Sequence, residues 1–237
     1  GHPLTDDVNG YRQEGFAKFD RNVHRGRRLS AARAYLHPVR NRKNLTIHTL
    51  SHVTGLRTRG KRVVGVDYVR GHRFRRSVDA GEVILCGGAI NSPQLLQLSG
   101  IGNAEELRAL GIEPVADLPG VGENLQDHLQ IRMQYKVKNV KTLNGVANSL
   151  WGKAAMALEY FAFRTGPLTM PPSQAGAFAK SDPAQPTPNI EWHVQPLSLD
   201  KFGDPLHSFP AITPSVCNLR PTSRGWVRIK SPDPGAY

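Results

Sequence analysis

Gly87-Gly88-Ala89-Ile90-Asn91-Ser92-Pro93-Gln94-Leu95-Leu96-Gln97-Leu98-Ser99-Gly100-Ile101-Gly102 is the stretch from which the fold is read. It follows Glu82-Val83-Ile84-Leu85-Cys86, whose apolar run predicts a buried strand. The glycine pair predicts a tight turn. Ser92 is a suitable helix N-cap, Pro93 suits the first helical position, and Gly100 suits a left-handed stop. A strand that enters a helix through small residues brings backbone close to a phosphate or ribose in α/β folds. The same glycine pair also serves ordinary packing turns, so local pattern alone leaves both readings open.

Working outward, the chain has 237 residues, enough for one large or two small domains. Its 39% hydrophobic share, 23 glycines and 18 prolines suit a loop-rich mixed fold with room for a core. No apolar run reaches the length of a membrane-spanning helix. The first residues lack a basic start followed by an apolar stretch, so no secretory leader is expected. The net charge of +12 arises in the first third, where residues 1–76 hold 18 Lys/Arg against 5 Asp/Glu. A basic nucleic-acid-binding module is therefore one alternative. The arginines are scattered, however, and no aromatic residues are interleaved for base stacking, so no nucleic-acid partner is expected.

Residues 1–29 read as polar, glycine-punctuated loop, and Ser30 is placed to cap a helix over Ala31–Leu36 that Pro38 limits. Strands are expected at Leu45–Thr49, Val53–Thr58, Val63–Val69 and Arg73–Val78, with Arg59-Gly60-Lys61 as a turn. Asn103 and Glu106 form a capping-box pair for a helix from Ala104 to Leu110, which Gly111 stops. Beyond a Pro/Gly-rich connector, strand patterns run over Gln130–Val137, Gln174–Lys180, Asn189–Gln195, Phe209–Cys217 and Gly225–Ser231. Leu150–Phe163 has helical spacing. Cys86 reads as a small buried hydrophobe, and no Cys/His spacing fits a zinc site, so no metal is expected.

The run Gly88-Ala89-x-x-Ser92-Pro93-x-Leu95-Leu96-x-x-Ser99-Gly100-Ile101-Gly102 resembles the second signature of the glucose-methanol-choline (GMC) flavin oxidoreductases. The likeness continues through Asn103–Leu107 and Leu118-Pro119-Gly120-Val121-Gly122-Glu123-Asn124-Leu125-Gln126-Asp127-His128, and back to Pro3–Gly10. Within the family it points to the members that oxidise choline and related primary alcohols. The fold class it implies is mixed α/β (α+β). Residues 1–128 would be part of a Rossmann-like FAD-binding domain with an antiparallel meander. Residues 129–237 would be part of an antiparallel-sheet substrate domain. The family's Gly-x-Gly-x-x-Gly fingerprint has no match here. Its catalytic His, with a His or Asn partner, is expected beyond Tyr237. The chain is thus expected to be an internal segment of a longer enzyme and inactive by itself.

The resemblance implies FAD as cofactor, hydride transfer to flavin N5, and a small alcohol as substrate. The electron acceptor is not legible. A family member with a non-redox lyase reaction is a further alternative. The cofactor contacts it implies are Val53, through main-chain hydrogen bonds to adenine, and the bend at Gly88, Ala89, Asn91 and Ser92. Small side chains at Gly88 and Ala89 allow close approach. Asn91 and Ser92 offer polar groups at a helix start. Val53 also reads as an ordinary core valine, and packing alone would select Gly88 and Ala89. No catalytic residue is placed within the chain. Asp127-His128 looks like an acid/base pair, yet the resemblance implies a structural or flavin-shielding role. Glu191 and His193 share a strand face, which is either solvated or able to hold a cationic alcohol. A cytoplasmic setting is expected, with peripheral membrane association open.

Overall fold

Residues Ser51–Arg59, Arg62–Arg70 and Phe74–Asp79 form the antiparallel meander that their alternation predicts. The computed structural model describes residues 3–71, 73–171, 173–201 and 203–236. In the central strand Gly65 and Tyr68 are buried. Gly65 has a packing reason, because a Cβ there would sit 2.2 Å from the Val78 carbonyl. On the outer strand the register slips between Val53 and Gly55, leaving Thr54 as the extra residue of a bulge.

Helix Gly88–Leu98 docks on that outer strand. The Leu56 amide donates to Ser99 Oγ at 2.8 Å, and the same hydroxyl donates to the Leu95 carbonyl at 2.6 Å. Gly100 ends the helix as expected, with φ +77°. The start differs from expectation: Gly87 is the cap position and Pro93 lies inside the helix. Ser92 Oγ instead accepts from the Gly87 amide at 3.0 Å, holding the first turn from within. Helix Ala104–Ala109 is capped by Asn103, whose side chain accepts from the amides of Glu105 and Glu106.

Two expected strands are absent. Leu45–Thr49 is irregular, and so is Glu82–Cys86, which pairs with no strand among the described residues. Only Val83 and Leu85 turn partly inward, while Ile84 is 77% exposed and Cys86 is an exposed free thiol. An apolar run becomes a buried strand only where flanking strands cover its backbone.

Residues 43–127 and 222–237 form one compact unit, and residues 1–42 and 128–221 form the other. This packing does not follow a single cut after residue 128, and strand pairing is the reason. Gly225–Trp226 returns to pair with Glu123–Leu125. Gly15–Lys18, within a segment expected to be loop, pairs with Ala175–Ala179. A four-residue edge strand is too short to display a period. A small hairpin, Val23–His24 with Arg27–Arg28, also lies in that segment.

The second unit is built on an antiparallel sheet in the order Gly15–Lys18, Ala175–Ala179, Ile190–Gln195, Ala211–Asn218, Gln130–Arg132, with Tyr135–Lys136 also paired to Ala211–Asn218. Ala211–Asn218 alternates buried and half-buried positions, placing Ala211, Thr213, Ser215 and Cys217 in the core. Helix Leu150–Phe163 starts at Ser149, whose side chain accepts from the Gly152 amide, and stops at Arg164 in a left-handed conformation. No helix among the described residues is long and apolar enough to cross a membrane.

Candidate functional site

The bulged strand and the helix start meet at one cleft of about 400 Å³. Val53 lines one wall, and Asn91, Ser92 and Leu95 line another. Val83, Leu85 and Gly87 contribute from the segment that enters the helix. Val53 is 37% exposed, so it is not the core valine that pattern alone allowed. Its strand is at the sheet edge, where backbone groups are free of a second strand partner. The outer edge is used by Leu56, whose amide reaches the helix.

Gly88 and Ala89 are exposed in the first helical turn and do not line the cleft itself. Gly88 has φ +76°, a left-handed conformation that favours glycine, and a Cβ there would meet nothing within 4 Å. Open space, rather than tight packing, therefore surrounds this glycine. The amides opening an α-helix have no intrahelical acceptor and carry the positive end of its dipole. The arrangement offers an anion two small residues, unhindered amides and a polar side chain, Asn91, at the cleft wall. Sequence reasoning missed His52, Val66 and Leu85 as lining residues. The alternation placing Val66 inward was visible, and Leu85 was expected to be buried, as part of a strand rather than a cleft wall.

Asp127 and His128 are both exposed and lie on either side of the division between the compact units. The segment from Thr222 returns as the Gly225–Trp226 strand and continues into Arg228, which pairs with Glu106 at 3.1 Å and Glu123 at 2.9 Å.

Glu191 and His193 share a face, and that face is half-buried rather than solvated. Glu191 Oε1 lies 3.1 Å from His193 Nε2, so the carboxylate is paired with the imidazole beside it on the strand. Cys217 lies directly across from Glu191 and is buried. Burial pushes its thiol above the ordinary value; the Glu191 carboxylate adds to the rise, and a hydrogen bond with Gln130 opposes it. The Phe19 ring sits 5.3 Å from the His193 imidazole.

Ser198, His207 and Asp200 form a chain with Ser198 Oγ to His207 Nδ1 at 2.9 Å and His207 Nε2 to Asp200 at 3.2 Å. Its serine is fully buried, and Asn144, also fully buried, bonds the Ser198 backbone and hydroxyl. A nucleophile must reach substrate, so this trio ties down a loop instead.

Residues 1–130 match the family model described as GMC oxidoreductase, and the chain belongs to that family. It is 44% identical over 237 residues to an oxygen-dependent choline dehydrogenase of Staphylococcus haemolyticus (strain JCSC1435), covering 99% of this chain and 41% of that protein. It is 43% identical over 234 residues to the protein of the same description from Staphylococcus aureus (strain JH9), again covering 99% and 41%. The chain thus spans about two fifths of the length of these curated relatives. Among solved structures it is similar to pyridoxine 4-oxidase from Mesorbium loti, with a TM-score of 0.78 and 31% identity over 99% of this chain and 42% of that one. A formate oxidase superposes with a TM-score of 0.86 over 99% and 45%, at 23% identity, and so shares the fold.

Proposed function

We propose that the whole protein is an FAD-dependent oxidoreductase that oxidises the CH–OH group of a small primary alcohol, choline or a close analogue. Its membership of the GMC family supports this reading. The observation that carries it on the chain is the convergence of edge residue Val53 with Gly87, Asn91 and Ser92 of the helix start on one cleft, with Gly88 and Ala89 exposed in the same helical turn. The residues fit the flavin's adenosine half: the cradle at Gly88 is open, and a side chain there would project into free space. Bound FAD supplies the hydride acceptor at N5.

The chain's own residues hold and orient that group. The Val53 main chain meets the adenine edge. The amides at Gly88 and Ala89 and the side chain of Asn91 face the ribose and phosphates. Ser92, occupied by the Gly87 amide, keeps the turn in shape rather than binding directly. We assign flavin binding to the unit of residues 43–127 and 222–237, and the alcohol to the sheet of the other unit. The setting we propose is the cytoplasm, where Cys86 and Cys217, both free thiols, would stay reduced.

The test is anaerobic addition of choline to the full-length, flavin-loaded protein. Bleaching of the flavin absorbance supports the proposal. A yellow protein that no primary alcohol bleaches points to a lyase-type member. A colourless protein with salt-dependent nucleic-acid affinity would replace the reading altogether.

A further inference from the structure

Strand register brings together three donors that lie far apart in the sequence. Glu191 and Cys217 are directly opposed across neighbouring antiparallel strands, and His193 is two residues along from Glu191 on the same face. The Glu191 carboxylate, the His193 imidazole and the Cys217 sulfur offer ligand atoms that all lie within 4.8 Å of one another. We propose that Glu191, His193 and Cys217 form a binding site for one divalent cation of the zinc class. The inference goes beyond alcohol oxidation, and neither flavin nor substrate is needed for it.

The donor set selects the ion. Magnesium and calcium prefer all-oxygen shells, whereas a mixed thiolate, imidazole and carboxylate set suits zinc or cobalt. Donor atoms on one tetrahedral ion lie roughly 3.3–3.8 Å apart, so closure needs side-chain shifts of about 1 Å. Glu191 and His193 are already at 3.1 Å. Surrounding groups hold the ligands in place. Gln130 faces Cys217 from the next strand and bonds its thiol. The Phe19 ring packs by the imidazole, in space kept free by Gly176, where a Cβ would lie 2.1 Å from Phe19. Cys217 is buried, while Glu191 and His193 are only half-buried, which leaves an entry route and a fourth position for water. On binding, the Cys217 S–H proton is released to solvent and the sulfur bonds the metal as thiolate; the proton that His193 Nε2 directs at Glu191 passes through solvent to Nδ1, which frees Nε2 to bond the metal, with no redox change.

The experiment is a Co²⁺ titration of the full-length protein carrying Cys86→Ser, which removes the exposed thiol as a competing donor. Difference spectra against the metal-free sample should show a thiolate-to-cobalt charge-transfer band that saturates at one equivalent. Adding Cys217→Ser should abolish that band, and His193→Gln should weaken binding roughly tenfold or more. Glu191→Gln keeps both other donors, so it should weaken binding while retaining the band, and it serves if the serine variant is not folded by circular dichroism. No charge-transfer band in the Cys86→Ser protein would overturn the proposal. So would a band undiminished by Cys217→Ser, or affinity unchanged in both His193→Gln and Glu191→Gln.

Discussion

The buried side-chain amide of Gln97 donates to the Val227 carbonyl at 2.8 Å, 130 positions along the chain. Its oxygen accepts from the Ile229 amide at 2.9 Å. One glutamine on the helix that borders the cleft thereby anchors the returning segment. Gly122 is required beside it, since a Cβ there would lie 2.6 Å from Gln97 Nε2. Gln97→Ala leaves two backbone groups without partners in a partly buried place. It should cost about 2–4 kcal/mol of stability, read by chemical denaturation of the full-length protein. The nearby Arg228 ion pairs are exposed and salt-screened and cannot substitute for this anchor.

Two glycines with nearly the same φ should respond differently to alanine. At Gly100 the new Cβ would sit 2.6 Å from the Glu113 carbonyl, so strain and clash add. A loss above roughly 2 kcal/mol is expected there. At Gly88 nothing lies within 4 Å, so only the left-handed penalty of about 1–2 kcal/mol applies. If Gly88 lies against the flavin, Gly88→Ala should lower FAD occupancy several-fold, whereas any flavin loss in Gly100→Ala should follow its instability. Denaturation midpoints paired with flavin-to-protein absorbance ratios separate the two effects.

These positions also show what was legible beforehand. The stop at Gly100 was readable because a left-handed residue after a helix is usually glycine. The meander was readable because its alternation runs over long strands. The helix start was misplaced by five residues because Ser92 holds the turn from inside, reaching back to Gly87. Rules that look for a cap before the helix cannot find it. Glu82–Cys86 has the composition of a core strand, but composition does not say whether flanking strands exist. Asn91 and Ser92 were legible as site candidates through the family signature and Val53 through the wider resemblance; all three line one cleft. The Glu191, His193 and Cys217 cluster depends on the register of two strands, which local sequence does not encode.

Contact through the main chain makes the Val53 side chain replaceable within limits. Val53→Ala should leave flavin affinity within about threefold, because backbone hydrogen bonds are kept and only a small apolar contact is lost. Val53→Trp projects bulk into a cleft of about 400 Å³ and should reduce affinity at least tenfold with little change in stability, since the position is partly exposed. FAD titration of the apoprotein, followed by quenching of flavin fluorescence, reads both variants. Equal loss in both would mean that the side chain, not the backbone, makes the contact.

A crystal structure of the full-length protein with its flavin bears most directly on the proposed site. The adenine edge should lie within hydrogen-bond distance of the Val53 backbone, with ribose and phosphates against Gly88, Ala89 and Asn91. A flavin whose adenine lies elsewhere, with protein side chains filling the cleft between Val53 and Ser92, would contradict it.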